Sequence, residues 1–196
     1  MELKMTQARN TKEKKQKSEP AASRFLLDVG PLRERARQEI MECAATANYD
    51  IEPAKGGRVL NIALSTECVC VLRYRQHHFV AKGIHAEPVA QAFLAHSSEK
   101  LSRADTLAKR IVQLGRTPEL NPSVLAAQSH AEYVTCDSLK TTIKENLIAE
   151  RIAVESDREM IAFFGDRAPT RRNLLEGILV VEEEHADEFA GLLETG

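Results

Sequence analysis

Four long stretches of this chain repeat apolar residues at alternating intervals of three and four, the spacing of an α-helix with one buried face. The first covers 58–81 through Leu60, Leu64, Val71, Tyr74, His78 and Ala81, and the second 88–114 through Val89, Phe93, Leu107, Ile111 and Leu114. The third covers 138–164 with Leu139, Ile143, Leu147, Val154, Ile161 and Phe164, and the fourth starts at Ala168-Pro169 and carries Leu174, Ile178, Phe189 and Leu192. Local punctuation agrees with these limits: Pro88 and Pro169 suit a first helical turn, Gly115 and Gly165 suit helix ends, and Asp137 is placed to cap the third helix. Ahead of them, Pro31 opens a shorter amphipathic helix to about residue 47, with Leu32, Ala36, Ile40 and Cys43 on its stripe, which reads as an outer brace. Residues 49–57, with Pro53 and the pair Gly56-Gly57, read as a loop. Residues 115–137, with Pro118 and Pro122, are too long for a tight hairpin and read as a crossover with a short helix around 123–134. The pattern predicts an all-α antiparallel four-helix bundle with a long crossover between its second and third helices and a short preceding helix.

The stripes are not uniformly apolar. Glu67 lies on the first, His96, Lys100 and Arg103 on the second, Glu150 on the third, and Glu182 with His185 on the fourth. A buried carboxylate without a partner costs several kcal/mol, so each needs a metal, a cation or a proton. Glu182 and His185 are three apart, project from one face and can hold one metal together. A di-iron carboxylate site in a four-helix bundle takes one inward Glu from each of two helices and a Glu-x-x-His from each of the other two. Glu67, Glu150 and Glu182/His185 supply three of these contributions in order, and the register puts Lys100 and Arg103 at the fourth. The two hairpins match in length, since Glu67 and Lys100 are 33 positions apart and Glu150 and Glu182 are 32 apart. A guanidinium has no lone pair to offer a metal, and an ammonium must first lose a proton. Two positive side chains therefore stand where two divalent metals would, and a metal-free salt-bridge core competes with a metal site.

The stretches Leu64-Ser-Thr-Glu67, Arg73-Tyr74, Gly83-Ile-His-Ala-Glu-Pro88, Ala104-Asp105, Arg110-Ile-Val-Gln-Leu-Gly115, Ser129-His-Ala-Glu-Tyr133, Ala149-Glu150-Arg151 and Glu182-Glu-Glu-His-Ala-Asp187 resemble the bacterioferritin and ferritin-like (Dps-like) di-iron carboxylate family over about residues 29–194. The resemblance implies iron binding and storage, oxidation of Fe(II) by oxygen or peroxide, and hollow shells of identical subunits. Carried over by position, it makes Glu67 a terminal ligand of the first iron, Glu150 and His185 terminal ligands of the second, and Glu182 a bridge. The family's second bridging Glu and first-iron His fall on Lys100 and Arg103. Its haem-ligating Met, in members that bind haem, falls on Leu101, so no haem is expected. Two readings follow. One is a shell-forming, bacterioferritin-type iron-binding and storage protein with a degenerate ferroxidase centre, binding one iron through Glu150, Glu182 and His185 or none. The other is a non-catalytic structural or interaction subunit with a metal-free salt-bridge cluster. The partner is a homo-oligomeric shell or an intact paralogue.

Composition adjusts the picture at its edges. With 43% hydrophobic and 29% charged residues in 196, the chain can bury one sizeable core, assigned to residues 29–196. Residues 1–28 read as a disordered basic tail, with Lys4, Arg9, Lys12, Lys14, Lys15 and Lys17 against Glu2 and Glu13, which could make weak contact with DNA phosphates. The net charge of −2 excludes a globally basic nucleic-acid binder. No apolar run reaches the length of a membrane span, so a soluble, cytoplasmic protein is expected. Cys43, Cys68, Cys70 and Cys136 lack paired metal spacing and read as reduced thiols. His77 and His85 fall off the stripe or in a turn, His78 lies near the helix end, and all three read as structural or solvent-facing.

Overall fold

The computed structural model describes residues 29–38, 40 and 51–194, apart from the Pro53 side chain, and divides the chain into units 1–40 and 41–196. In the first unit α1 spans Gly30–Gln38 with no buried residue. Leu32 and Ile40 are well exposed, so the stripe that suggested a brace is not buried there. The expectations for residues 1–28 and 41–50 lie outside the described residues.

Among its described residues the second unit has helices as its only regular elements. Its first helix, α2, spans Pro53–Val80 and so begins ahead of the expected start at residue 58. Gly56 and Gly57 are inside the helix because neighbours crowd it: a Cβ at Gly56 would strike the Arg171 guanidinium, and one at Gly57 would lie 3.2 Å from Arg116 Cγ. The glycine pair marks close approach, not a loop. Next come α3 (Ala86–Gln113), ended at Gly115 with φ 69°, and α4 (Pro122–Gln128), capped by Asn121.

The short crossover helix stops at Gln128 instead of near 134, because the following backbone is engaged elsewhere. Arg73 Nη1 donates to Glu132 O at 2.7 Å, His77 Nε2 lies 2.9 Å from Val134 O, and His130 N donates to Thr66 Oγ1 at 3.0 Å. Then α5 runs over Leu139–Phe164 with Ser138, not Asp137, as its cap: the Ser138 hydroxyl accepts from Thr141 N at 3.1 Å. A 3₁₀ turn at Gly165–Arg167 leads into α6, Pro169–Glu194.

Neighbouring helices run antiparallel. On α2 and α3, Glu67 meets Arg103, Val71 meets Ser97 and His78 meets Ala90, so rising numbers meet falling ones. Between α3 and α6 the same order appears in His96 with Glu188, Lys100 with Glu182, and Arg110 with Thr170. The core has two apolar layers. One gathers Leu60, Leu64, Leu107, Met160, Phe164 and Leu175, and the other Tyr74, Phe93, Ile143, Leu147 and Phe189. Burying one such side chain contributes about 1.5–3 kcal/mol, so these layers can offset a costly polar layer between them. Among the described residues no helix is long and apolar enough to cross a membrane.

The buried faces differ from the expected stripes at three places. His77 is fully buried and His78 only partly, because α2 turns its last turns toward the crossover and α5 as well as α3. On α5 the inward residues after Glu150 are Ala153, Asp157, Met160 and Phe164, with Val154 and Ile161 only partly buried. On α6 Leu175 is inward and Leu174 only partly buried.

Candidate functional site

Between the apolar layers, the side chains of Glu67, Lys100, Arg103, Glu150, Glu182 and His185 converge. Lys100 Nζ, with 1% of its surface exposed, donates to Glu150 Oε2 at 2.9 Å and to Glu182 Oε2 at 2.6 Å. Arg103 Nε donates to Glu67 Oε2 at 3.3 Å, and Arg103 Nη2 lies 2.8 Å from Glu182 Oε1 as an ion pair without hydrogen-bond alignment. The other Glu150 oxygen accepts from the Tyr74 hydroxyl and lies 3.6 Å from His185 Nδ1. The helices place these groups by periodicity alone: Glu67 and Tyr74 are two turns apart on α2, Lys100 and Arg103 share a face of α3, and Glu182 and His185 share a face of α6.

Protonation follows from burial and these partners. Burial alone would lower the Lys100 pKa, but Glu150 and Glu182 raise it well above the ordinary lysine value, so it is an ammonium. Arg103 behaves likewise, with Glu67 and Glu182 outweighing burial. Burial would raise the Glu150 carboxyl, yet Lys100 and the surrounding hydrogen bonds hold it well below the usual carboxylate range. Glu182 is pushed up by burial and by the adjoining Glu150 charge, against Lys100. It is thus the member of the pair that takes a proton first as pH falls. Asp157, pushed to about 7 by burial and by Glu67, adds a second proton-holding group.

This donor set does not fit a pair of irons. Two irons would need Lys100 and Arg103 to be a carboxylate and an imidazole, and both are instead cations seated on the carboxylates that would ligate them. Three carboxylates and two cations are close to neutral without a metal, which is why the layer can stay buried.

Four members of the site were missed at the sequence level. Tyr74 was read as core, although its hydroxyl needs a partner when buried. Asp157 lies two turns after Glu150 on the same face, a signal the choice of Val154 hid. Glu99 and Glu188 lie off the apolar stripes and were not singled out, but Glu99 Oε2 lies 2.7 Å from His185 Nε2 and Glu188 Oε2 lies 2.9 Å from His96 Nε2. His96, on the second stripe one turn before Lys100, is buried and stacks on His185 with ring centroids 3.8 Å apart. Conversely, His77 and His78 bind backbone carbonyls, a structural role. Burial raises the Cys68 and Cys70 thiols, Cys70 to about 12, so both stay protonated, and Cys68, Cys70 and Cys136 are free.

Four antiparallel helices that each send charged or imidazole groups into one mid-height layer define the class of four-helix carboxylate proteins. The model of the ferritin-like domain matches residues 58–196, and the chain belongs to this ferritin-like family. Among solved structures it is similar to one described as a dodecameric thioferritin, the bacterioferritin-related protein from Bacteroides fragilis. The identity there is 24%, over 74% of this chain and 88% of that one, with a TM-score of 0.71. It is also similar to Dps from Thermosynechococcus elongatus, with 15% identity over 71% and 90% of the two chains and a TM-score of 0.69. Dps from Vibrio cholerae O1 gives 17% identity, 72% and 90%, and a TM-score of 0.68. At these identities the likeness speaks for the fold. No curated protein matches the chain.

Proposed function

We propose that this chain is a ferritin-like subunit of an iron-storage shell whose central site has exchanged di-iron chemistry for a salt-bridged core. One observation carries this reading: the Lys100 ammonium is buried within 2.9 Å of both Glu150 and Glu182, the carboxylates that would hold the second iron. Shell formation is supported by the similar structure described as dodecameric, and by Leu72, Phe79, Val80 and Ile84, which leave apolar surface exposed on and just after α2. The shell partner is a further copy of this chain or a paralogue with an intact centre, and iron is then its cargo.

The activity test is stopped-flow oxidation of Fe(II) at two equivalents per chain with dissolved oxygen. The expected trace shows no fast saturable phase, because two irons cannot sit side by side where Lys100 and Arg103 lie. A rapid phase that disappears in Glu150→Ala would contradict this reading.

A further inference from the structure

Away from the ion-paired layer, a buried network ties the crossover to the bundle. Arg73 and His77, 2% and 0% exposed, stand one turn apart on α2 and face Asn146 on α5. The Arg73 guanidinium donates from Nε and Nη2 to Asn146 Oδ1 at 3.2 and 3.0 Å, and also to Glu145 O and Glu132 O. These acceptors are uncharged oxygens, so a full positive charge sits buried against dipoles. His77 is wedged between two of the same kind of atom. Its Nδ1 lies 3.0 Å from that Asn146 Oδ1, and its Nε2 lies 2.9 Å from Val134 O. A neutral imidazole has one N–H and can answer only one of them. Val134 O can only accept, whereas Asn146 Oδ1 is already met twice by Arg73, so the proton belongs on Nε2 and the Nδ1 lone pair is left against an oxygen. Turning the Asn146 amide over would give Nδ1 a donor, but it would set that NH2 group against the Arg73 guanidinium.

We propose that His77 is an acid-sensitive latch for the crossover: a proton on its ring sets a second cation on the Asn146 oxygen that already holds Arg73, and the segment 129–136 is released from α2 and α5. The groups around the ring favour release. Burial lowers the His77 pKa most and the Arg73 charge on α2 adds to it, against the bonds to Val134 and Asn146 and the Glu145 charge on α5. From α3 the ring meets Phe93, with centroids 6.0 Å apart, and Glu132 of the crossover reaches Arg73 through its carbonyl oxygen. The sign follows. A ring held below its ordinary 6.5 takes its proton more readily once the latch is open, so closure is favoured above that pH and weakens as pH falls toward the folded value. Release uncovers Ala131, which is 3% exposed and packs in the apolar layer of Tyr74 and Phe93.

The test follows amide hydrogen exchange of the full-length protein from about pH 7.5 to about pH 5, corrected for the intrinsic rate, in peptides covering 129–136, beside an NMR titration of the His77 ring. In wild type the ring is expected to be the Nε2–H tautomer and to titrate below 6.5. The opening equilibrium of 129–136 should rise by up to about tenfold per pH unit through that window, the limit for one proton. His77→Gln keeps an N–H for Val134 O but has no proton to gain, so its crossover exchange should lose this dependence. Peptides from 58–64, at the far end of α2, should respond alike in both proteins. A ring that titrates at or above 6.5 overturns the latch. So does wild-type crossover exchange that stays flat or slows in acid, and so does a pH dependence that persists in His77→Gln. If His77→Gln does not fold, the ring titration and the wild-type exchange still decide.

Discussion

Lys100→Met is expected to destabilise the protein by about 3–5 kcal/mol at neutral pH, the range found when one partner of a buried ion pair is removed. For a unit of this size that lowers the melting temperature by roughly 10 °C. Methionine matches the length of the lysine stem, so little volume is lost and the effect reports charge. Glu150 and Glu182 would share the layer with only Arg103 beside them, and Arg103 reaches Glu182 but not Glu150. The pH dependence has a definite sign. The Lys100 pKa is raised, so its contribution is present in full below the unfolded value of about 10.4 and lost as pH rises through the folded value. The Glu150 pKa is depressed, so its contribution is present above about 4.3 and lost as pH falls through the folded value. Wild type and variant should therefore differ most between about pH 6 and 9, with the gap narrowing as the orphaned carboxylates of the variant protonate and closing only below about pH 4.3, as pH falls through the folded Glu150 value. Urea unfolding across that range measures it. A gap below about 1 kcal/mol at pH 7 would mean that Lys100 does not compensate this layer.

The second large effect is expected when both cations are exchanged for ligands, in Lys100→Glu with Arg103→His. The layer then holds four carboxylates and two imidazoles with no cation, and only metal or protons relieve their repulsion. Without metal the double variant should melt roughly 10 °C or more below wild type, at two lost buried partners. With Fe(II) under anaerobic conditions, or with Zn(II), its stability should recover by the mass-action term for binding to the native state, about 2.7 kcal/mol at a hundredfold excess over Kd. Wild type should gain much less, because Lys100 and Arg103 already pair with its carboxylates. Equal melting of both proteins, with and without metal, would show that the two cations do not stand in for metals.

How much of this was legible from the chain depends on which physical signal each part leaves. The four long helices left a strong one, because a buried stripe repeats over many turns and Pro and Gly mark its ends. The six central residues were also legible, since charged groups on an apolar stripe are conspicuous. Boundaries were less so. Gly56-Gly57 mimics a loop signal when its cause is the Arg171 and Arg116 side chains from distant parts of the chain. The crossover helix stops early because Arg73 and His77 claim its carbonyls, a competition between positions some 60 apart in sequence. Asp157 was hidden because two stripes of α5, one through Val154 and one through Ala153, are equally periodic, and only the packing against the neighbouring helices chooses between them. His96 and His185 both stood on inward stripes, but their stacking left no signal, being a meeting of two helices that no local spacing encodes.

The central claim is that Lys100 and Arg103 fill the positions of two metals. It is tested most directly by growing crystals of the full-length protein, soaking them in Fe(II) without oxygen, and recording anomalous difference maps at the iron edge. The expected map has no peak among Glu67, Glu150 and Glu182, with Lys100 still within about 3 Å of Glu150 and Glu182. Two peaks a few ångströms apart in that layer, with the Lys100 and Arg103 side chains swung out of it, would contradict the claim.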